Sequence, residues 1–153
     1  GWKIANMVLG SERFTTGHPR NAAVLLNRTR MMAEISGAIV DPIFRNQLAQ
    51  LEMDLLAFSA FYHHAAELHA LGKAPMSMAP VIKISGGEIG QKASELLMHA
   101  SGPIGLLSSN LQTPEGLVNI PADLFEMRRL TVGSGAVEIQ RNVIAKRVLE
   151  LGA

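Results

Sequence analysis

The sequence predicts an all-α fold, an antiparallel up-and-down four-helix bundle, from three observations. Apolar residues recur at spacings of three and four over long stretches, which is the period of a helix face rather than of a strand. Aromatic residues make up only 5% of the 153-residue chain while Met numbers 8 and Gly 14, a balance suited to helices packed through small and flexible side chains. Pro and Gly gather near residues 17–19, 37–42, 72–80 and 101–121, and so separate four substantial helices and one long connection.

Each element has its own signals. From Ile4 the pattern is helical until Thr15-Thr16-Gly17-His18-Pro19 interrupts it, because the residue before a proline avoids the α region. A long helix then runs from about Arg20, with Val24, Leu25, Arg28, Met31, Met32 and Ile35 as its predicted apolar face and Gly37 suited to its end. Asp41-Pro42 is the clearest helix start, an acidic cap followed by a residue preset for the first helical position. The helix it opens extends to about Gly72, and Leu48, Leu51, Leu55, Phe58, Tyr62 and Ala65 form a bundle seam. Replacing Leu55 with Ala should cost about 2–5 kcal/mol if that position is core.

Pro75 and Pro80 mark a connection, and a third helix is expected from about Ala79 to Ala100 with Ile89, Ala93, Leu96 and Ala100 as its stripe. Gly86, Gly87 and Gly90 lower its helix propensity by roughly 1 kcal/mol each relative to Ala, which predicts close approach of a neighbour. Ser101 to Pro121 reads as an irregular loop long enough to serve function or docking. A short helix over Ala122 to Leu130 follows. Gly133-Ser134-Gly135 then delivers a last helix with Val137, Ile144, Val148 and Leu151 at face spacing. A helix start of this kind offers unpaired N–H groups to a carbonyl or phosphate, although most do nothing more than begin a helix.

Composition bounds the function. A single domain, residues 1–153, is the expectation for this length. With 48% hydrophobic residues, 18% charged residues and a formal net charge of +1, the chain carries neither the signature of disorder nor a nucleic-acid footprint. It has no cysteine, which excludes disulfides, thiolate metal sites and thiol nucleophiles. No apolar run has the length of a membrane span, so the expectation is a soluble protein with no membrane partner. His63, His64 and His69 near Glu67 are not expected to bind metal, since adjacent histidines point to different helix faces and no HExxH spacing occurs. Asn27-Arg28-Thr29 matches a glycosylation acceptor only formally. The abrupt opening at Gly1-Trp2-Lys3-Ile4 suggests a piece of something longer.

Three stretches together resemble a known family. Gly1-Trp2-Lys3-Ile4-Ala5 with Glu12-Arg13, the Ser101-Gly102-Pro103-Ile104-Gly105 segment, and Gly133 to Leu151 with Glu138-Ile139-Gln140-Arg141 are similar, in order and spacing, to the C-terminal helical domain of acyl-CoA dehydrogenases. The likeness covers nearly the entire chain. It implies a flavoprotein subunit in which this bundle follows an N-terminal helical domain and a middle β domain. FAD would lie between domains and across a subunit interface, and the bundle would supply the catalytic base and part of the acyl-CoA site. The reaction implied is α,β-dehydrogenation, in which a carboxylate removes the α-proton of the thioester and the flavin takes the β-hydrogen as hydride. The bundle alone should be inactive.

The resemblance also assigns roles to residues. Many members carry the base as a glutamate just before the glycine of the last turn, where this chain has Ser134. Others place it on the first helix directly before an arginine, the position of Glu12 ahead of Arg13. Glu12 is therefore the expected catalytic base, with Arg13, Ser134 and the backbone of Gly135 at the acyl-CoA. The family's Gln-x-x-Gly-Gly becomes His99-Ala100-Ser101-Gly102-Pro103, and Ala136 replaces a threonine. His99, Gly102, Ala136, Val137 and Glu138 are the expected flavin contacts. No Arg-x-x-Phe-Gly segment is recognisable, and Arg28 or Arg30 is the candidate substitute.

By the same resemblance the partners are an acyl-CoA substrate, an electron-transfer flavoprotein and further copies in a homo-oligomer, dimer or tetramer. The location is bacterial cytoplasm or mitochondrial matrix. Without the family, Glu12 beside Arg13 is an ordinary solvated ion pair, and Glu138 with Arg141 an i,i+3 pair worth about 0.2–0.5 kcal/mol. The competing reading is a non-catalytic interaction or oligomerisation module, such as the flavin-poor subunit of a heteromeric dehydrogenase.

Overall fold

The computed structural model describes residues 1, 4, 8, 12–73, 77–107, 110–114 and 116–152. Trp2, Lys3, Ala5 and Pro75, which figured in the expectations above, lie outside the described residues. A helical segment over 12–16 turns at Gly17 and His18 into α1 (Pro19–Ser36). Then come α2 (Pro42–Ala70), α3 (Met78–Ser101), a hairpin of β1 (Leu111–Thr113) and β2 (Gly116–Val118), α4 (Ile120–Val132) and α5 (Val137–Arg147). Among the described residues the fold is all-α apart from that hairpin.

The helix ends follow local chemistry. Nδ1 of His18 accepts from the Arg20 N–H at 3.0 Å and Pro19 follows at the first helical position, so α1 is capped at the break read from the sequence. Gly37 closes it in the left-handed region, φ 82°. Oδ1 of Asp41 accepts from the Ile43 N–H at 2.9 Å to open α2, and Oδ1 of Asn119 accepts from the Ala122 N–H at 3.0 Å to open α4.

Contacts descend along one helix as they rise along the next. His18 stacks on Tyr62 while Arg30 pairs with Glu52, so α2 runs against α1. Asn46 and His99 line one groove between α2 and α3, and Phe61 and Val81 the next, so α3 runs back again. Lys83 reaches Leu130 while Leu97 shares a core cluster with Ile120, which sets α4 against α3. The helix α3 touches α1, α2, α4 and α5 and is the centre of the bundle.

The core corrects two expectations. Along α1 the buried residues are Pro19, Ala22, Leu25, Leu26, Thr29, Met32 and Ala33, whereas Val24 and Ile35 are exposed. The packed stripe is thus rotated from the predicted one, because small Ala22 and Ala33 and the hydroxyl of Thr29 meet α3 where larger apolar residues were expected to do so. Oγ1 of Thr29 donates to the Leu25 carbonyl at 2.8 Å and lies 3.3 Å from that of Ala93. That buried hydroxyl also makes the formal glycosylation match structural. Leu55 is only half-buried, between the two core clusters, while Leu97 is fully enclosed.

The connection from Ser101 to Pro121 is more regular than read. It contains a 3-10 stretch, Gly102–Leu106, and the antiparallel hairpin pairing Leu111 with Val118. Three-residue strands are too short for an alternation to show in sequence, and their turn residues dominate the composition. Of the glycines in α3, Gly86 and Gly90 do meet close neighbours: a Cβ on Gly86 would sit 2.6 Å from the Gly17 carbonyl oxygen, and one on Gly90 2.8 Å from the sulfur of Met127. Gly87 has nothing within 4 Å.

Candidate functional site

The site is built where α4 ends and α5 begins. Gly133 stops α4 in an extended conformation, and its N–H donates to the Arg129 carbonyl at 2.9 Å. Ser134 and Gly135 then both adopt positive φ, 56° and 95°, which folds the chain sharply back into α5. A serine there is held in a conformation that costs of order 1–3 kcal/mol and persists only where its surroundings impose it. Gly135 is compulsory: a Cβ there would lie 2.5 Å from Nε2 of Gln140. Ala136 provides no side-chain cap for α5, so the first N–H groups of that helix carry their partial positive charge without a capping partner from the N-cap side chain.

Gln140 organises the exit of the turn. Its side chain is fully buried, and Nε2 donates to the carbonyls of Gly135 at 3.3 Å and Ser134 at 3.5 Å. Lys83 of α3 organises the approach. Its ammonium donates to the carbonyl of Leu130 at 3.1 Å and reaches that of Thr131 at 3.5 Å.

Arg13 comes to the same place from the opposite end of the chain, with Nη2 4.0 Å from the Cβ position of Gly135. Burial pulls the Arg13 guanidinium below its usual value, the nearby Arg147 adds to that, and Glu12 opposes both. Burial likewise lowers Lys83, helped by Arg13 and opposed by Glu138. Among the described residues, two buried side-chain atoms here have no hydrogen-bond partner, Nε of Arg13 and Oε1 of Gln140. One donor and one acceptor left without partners beside an uncapped helix start suit a ligand that both accepts and donates hydrogen bonds.

The expected site residues fall into two groups. Arg13, Ser134, Gly135, Ala136, Val137 and Glu138 converge on the turn, and Glu12 sits exposed on the adjoining helical segment. His99 and Gly102 do not join them. They lie near the other end of α3, where His99 is roughly 24 Å along the helix axis from Lys83. There His99 stacks edge-on to Phe44 and borders a groove of about 440 Å³ with Asn46, Gln47 and Gln50. Arg28 and Arg30 are already engaged, Arg28 with both oxygens of Asp123 at 2.7 and 2.5 Å and Arg30 with Glu52.

Without the family, Glu138 and Arg141 are an i,i+3 pair, the alternative to a place for Glu138 at the cofactor. Instead Arg141 bridges to Glu88 of α3 at 2.8 Å, and Glu138 acts on Lys83. Among the described residues no group of three or more His, Cys, Asp or Glu is placed to hold a metal ion, and no helix is long and apolar enough to cross a membrane.

Two residues of the site escaped the sequence reading. Lys83 stands within Pro80-Val81-Ile82-Lys83-Ile84, and a charged residue set among apolar ones was the signal. Gln140 lay inside the most specific stretch but had no role, since burial of an amide is not visible in sequence.

A family model described as acyl-CoA dehydrogenase, C-terminal domain, matches residues 1–149. The chain is 29% identical to acyl-CoA dehydrogenase IpdE1 of Mycolicibacterium smegmatis over 99% of its own length and 37% of that protein's. Among solved structures it superposes on the Tcur3481-Tcur3483 steroid ACAD with a TM-score of 0.84 at 20% identity, covering 99% of this chain and 40% of the other. The ChsE4-ChsE5 complex from Mycobacterium tuberculosis gives a TM-score of 0.77 at 22% identity, covering 100% of this chain and 41% of the other. The chain thus spans about two fifths of the length of these relatives.

Proposed function

The chain belongs to the acyl-CoA dehydrogenase C-terminal domain family, and from that premise we propose that it is the C-terminal bundle of a flavin-dependent enzyme that dehydrogenates an acyl-CoA thioester between its α and β carbons. The observation that carries the reading is the approach of Arg13 to the Gly133–Ala136 turn from the far end of the chain, with Nη2 4.0 Å from the Cβ position of Gly135 and Nε buried without a hydrogen-bond partner among the described residues. FAD, bound in the complete protein, supplies the acceptor for the β-hydrogen. Its fit to this chain rests on the uncapped start of α5, where Ala136, Val137 and Glu138 would hold it, and on the unpartnered Oε1 of Gln140. His99 and Gly102, at the far end of α3, would face a second cofactor across a subunit interface in a homo-oligomer.

Within this reading the carboxylate of Glu12 takes the α-proton of the thioester, a contribution typically worth about 10²–10⁴ in rate. Arg13 and the N–H groups of the Ser134-Gly135 turn bind and orient the thioester end of the acyl-CoA, and the electrons leave to an electron-transfer flavoprotein in the cytoplasm or mitochondrial matrix. The test is Glu12→Gln in the complete enzyme. Proton abstraction should fall by about two to four orders of magnitude, and a near-parental rate removes Glu12 as the base.

A second reading, the flavin-poor subunit of a heteromeric dehydrogenase, is favoured by Ser134, Ala136 and His99, which replace three polar positions of the family. Purified complete subunit carrying flavin absorbance supports the enzyme. A colourless protein that cannot be reconstituted with FAD supports the second reading.

A further inference from the structure

Lys83 has no part in the chemistry proposed above, yet only 3% of its surface is exposed. Burying an ammonium is costly unless its donors are used, and among the described residues its hydrogen-bond partners are main-chain carbonyls rather than a carboxylate. We propose that Lys83 is a positioning residue for the acyl-CoA and flavin platform: its ammonium holds the last carbonyls of α4 and so fixes the turn Gly133–Ala136 on which the substrate contacts are carried. The proposal rests on the reading of that turn as the platform.

Three observations support it. First, α4 does not end in a left-handed cap. Gly133 is extended at φ −60° and ψ 152°, so the closing bonds that a left-handed glycine would provide are missing, and the carbonyls of Leu130 and Thr131 turn to Lys83. A cation at a helix C-terminus also meets the negative end of the helix dipole. Second, the turn is held from its other side by Gln140, whose amide takes the carbonyls of Ser134 and Gly135. In a trans peptide the carbonyl and the following N–H point in opposite directions, so this hold turns the N–H groups of Gly135 and Ala136 away from Gln140. Lys83 and Gln140 together leave the turn little freedom to rotate its peptide planes. Third, Lys83 is electrostatically coupled to Arg13 and Glu138, one residue from each side of the proposed platform. Its charge therefore sits at the junction of the elements that must keep their relative position.

The experiment compares Lys83→Met and Lys83→Arg in the complete enzyme. Lys83→Met should lower kcat by about tenfold to a hundredfold, the scale set by a small misplacement of reacting groups, while flavin content and KM change little. Lys83→Arg, which keeps donors and charge, should recover a large part of that loss. Parental kcat in folded Lys83→Met protein overturns the proposal, and so does a loss that Lys83→Arg fails to recover.

Amide hydrogen exchange in the complete enzyme gives a readout independent of catalysis. Lys83→Met should speed exchange at Gly133 and Gln140, whose N–H groups donate to the Arg129 and Ala136 carbonyls on either side of the turn, while leaving the β1–β2 hairpin amides unchanged; uniform change, or none, counts against the positioning role. If Lys83→Met does not fold, the same exchange measurement on Lys83→Arg decides, parental protection supporting the role and selective loss at the turn overturning it. A parental enzyme without flavin or turnover defeats the functional reading alone, and exchange at the turn still decides the role of Lys83.

Discussion

Single residues decide whether the platform can exist. Gly135 combines a φ of 95° with a Cβ position already occupied by the Gln140 amide. Gly135→Ala should therefore destabilise the chain by about 1–3 kcal/mol, through backbone strain and displacement of Gln140 together. Urea unfolding of the parent and variant measures this, and a loss below about 0.5 kcal/mol shows that the turn relaxes freely. Tyr62 offers a test in pH. Burial raises its hydroxyl above the ordinary value of 10.0, and that hydroxyl donates to the Phe14 carbonyl at 3.3 Å. The folded chain thus keeps a proton that the unfolded chain has begun to release. The stabilising contribution is complete below pH 10.0 and is lost as pH rises through the folded-state value. Unfolding measured at about pH 8 and again near pH 11 should show the parent losing stability relative to Tyr62→Phe at the higher pH; an unchanged difference argues that the hydroxyl is as free to ionise in the fold as in water.

Helices meet here at distances that side chains do not permit. The start of α1 crosses α3 backbone to backbone, with Gly17 against Ile82 and Gly86 against Gly17, both inside 3 Å of a hypothetical Cβ. Gly86→Ala has backbone rather than a flexible side chain to displace, so it should cost about 1–3 kcal/mol despite the better helix propensity of alanine. At this chain length that corresponds to a fall in Tm of roughly 2–4 °C per kcal/mol. A variant with raised Tm would show that the crossing has room. Gly87→Ala, with nothing near its Cβ position, is the control and should raise stability. This crossing also carries the segment with Glu12 and Arg13 towards the turn, so Gly86 bears on the site as well as on packing. The glycines of α3 were legible in sequence as a sign of close approach, but which of them is approached depends on helix rotation, and rotation is decided by the facing surface. The α1 stripe shows the same dependence, since Val24 and Ile35 satisfy the helical period yet face outward.

For the molecule as a whole, the core is centred on α3, and Leu97→Ala should cost about 2–5 kcal/mol, more than Leu55→Ala at its half-buried position. Thermal unfolding of the two variants measures the order, and a reversal would move the centre of the core towards α2. The sequence by itself determined the helical class, the order of the long helices, the capped start at Asp41-Pro42 and the glycine turn that opens α5 at Gly133–Ala136, because period, caps and breakers are local properties of the chain. It also carried the family resemblance, since that rests on residue order. Only the tertiary structure decided that Arg13 lies beside Gly135, that Arg141 reaches Glu88 rather than Glu138, and that His99 and Gly102 stand far from the turn. Lys83 and Gln140 belong to the same class, because a buried cation or amide acquires its role from the carbonyls that surround it, and those come from residues 47 to 48 and 5 to 6 positions away in the chain. The physical reason is common to all of them: hydrogen bonds and charges act over a few ångströms in space, and the chain order records that distance only within a single turn of helix.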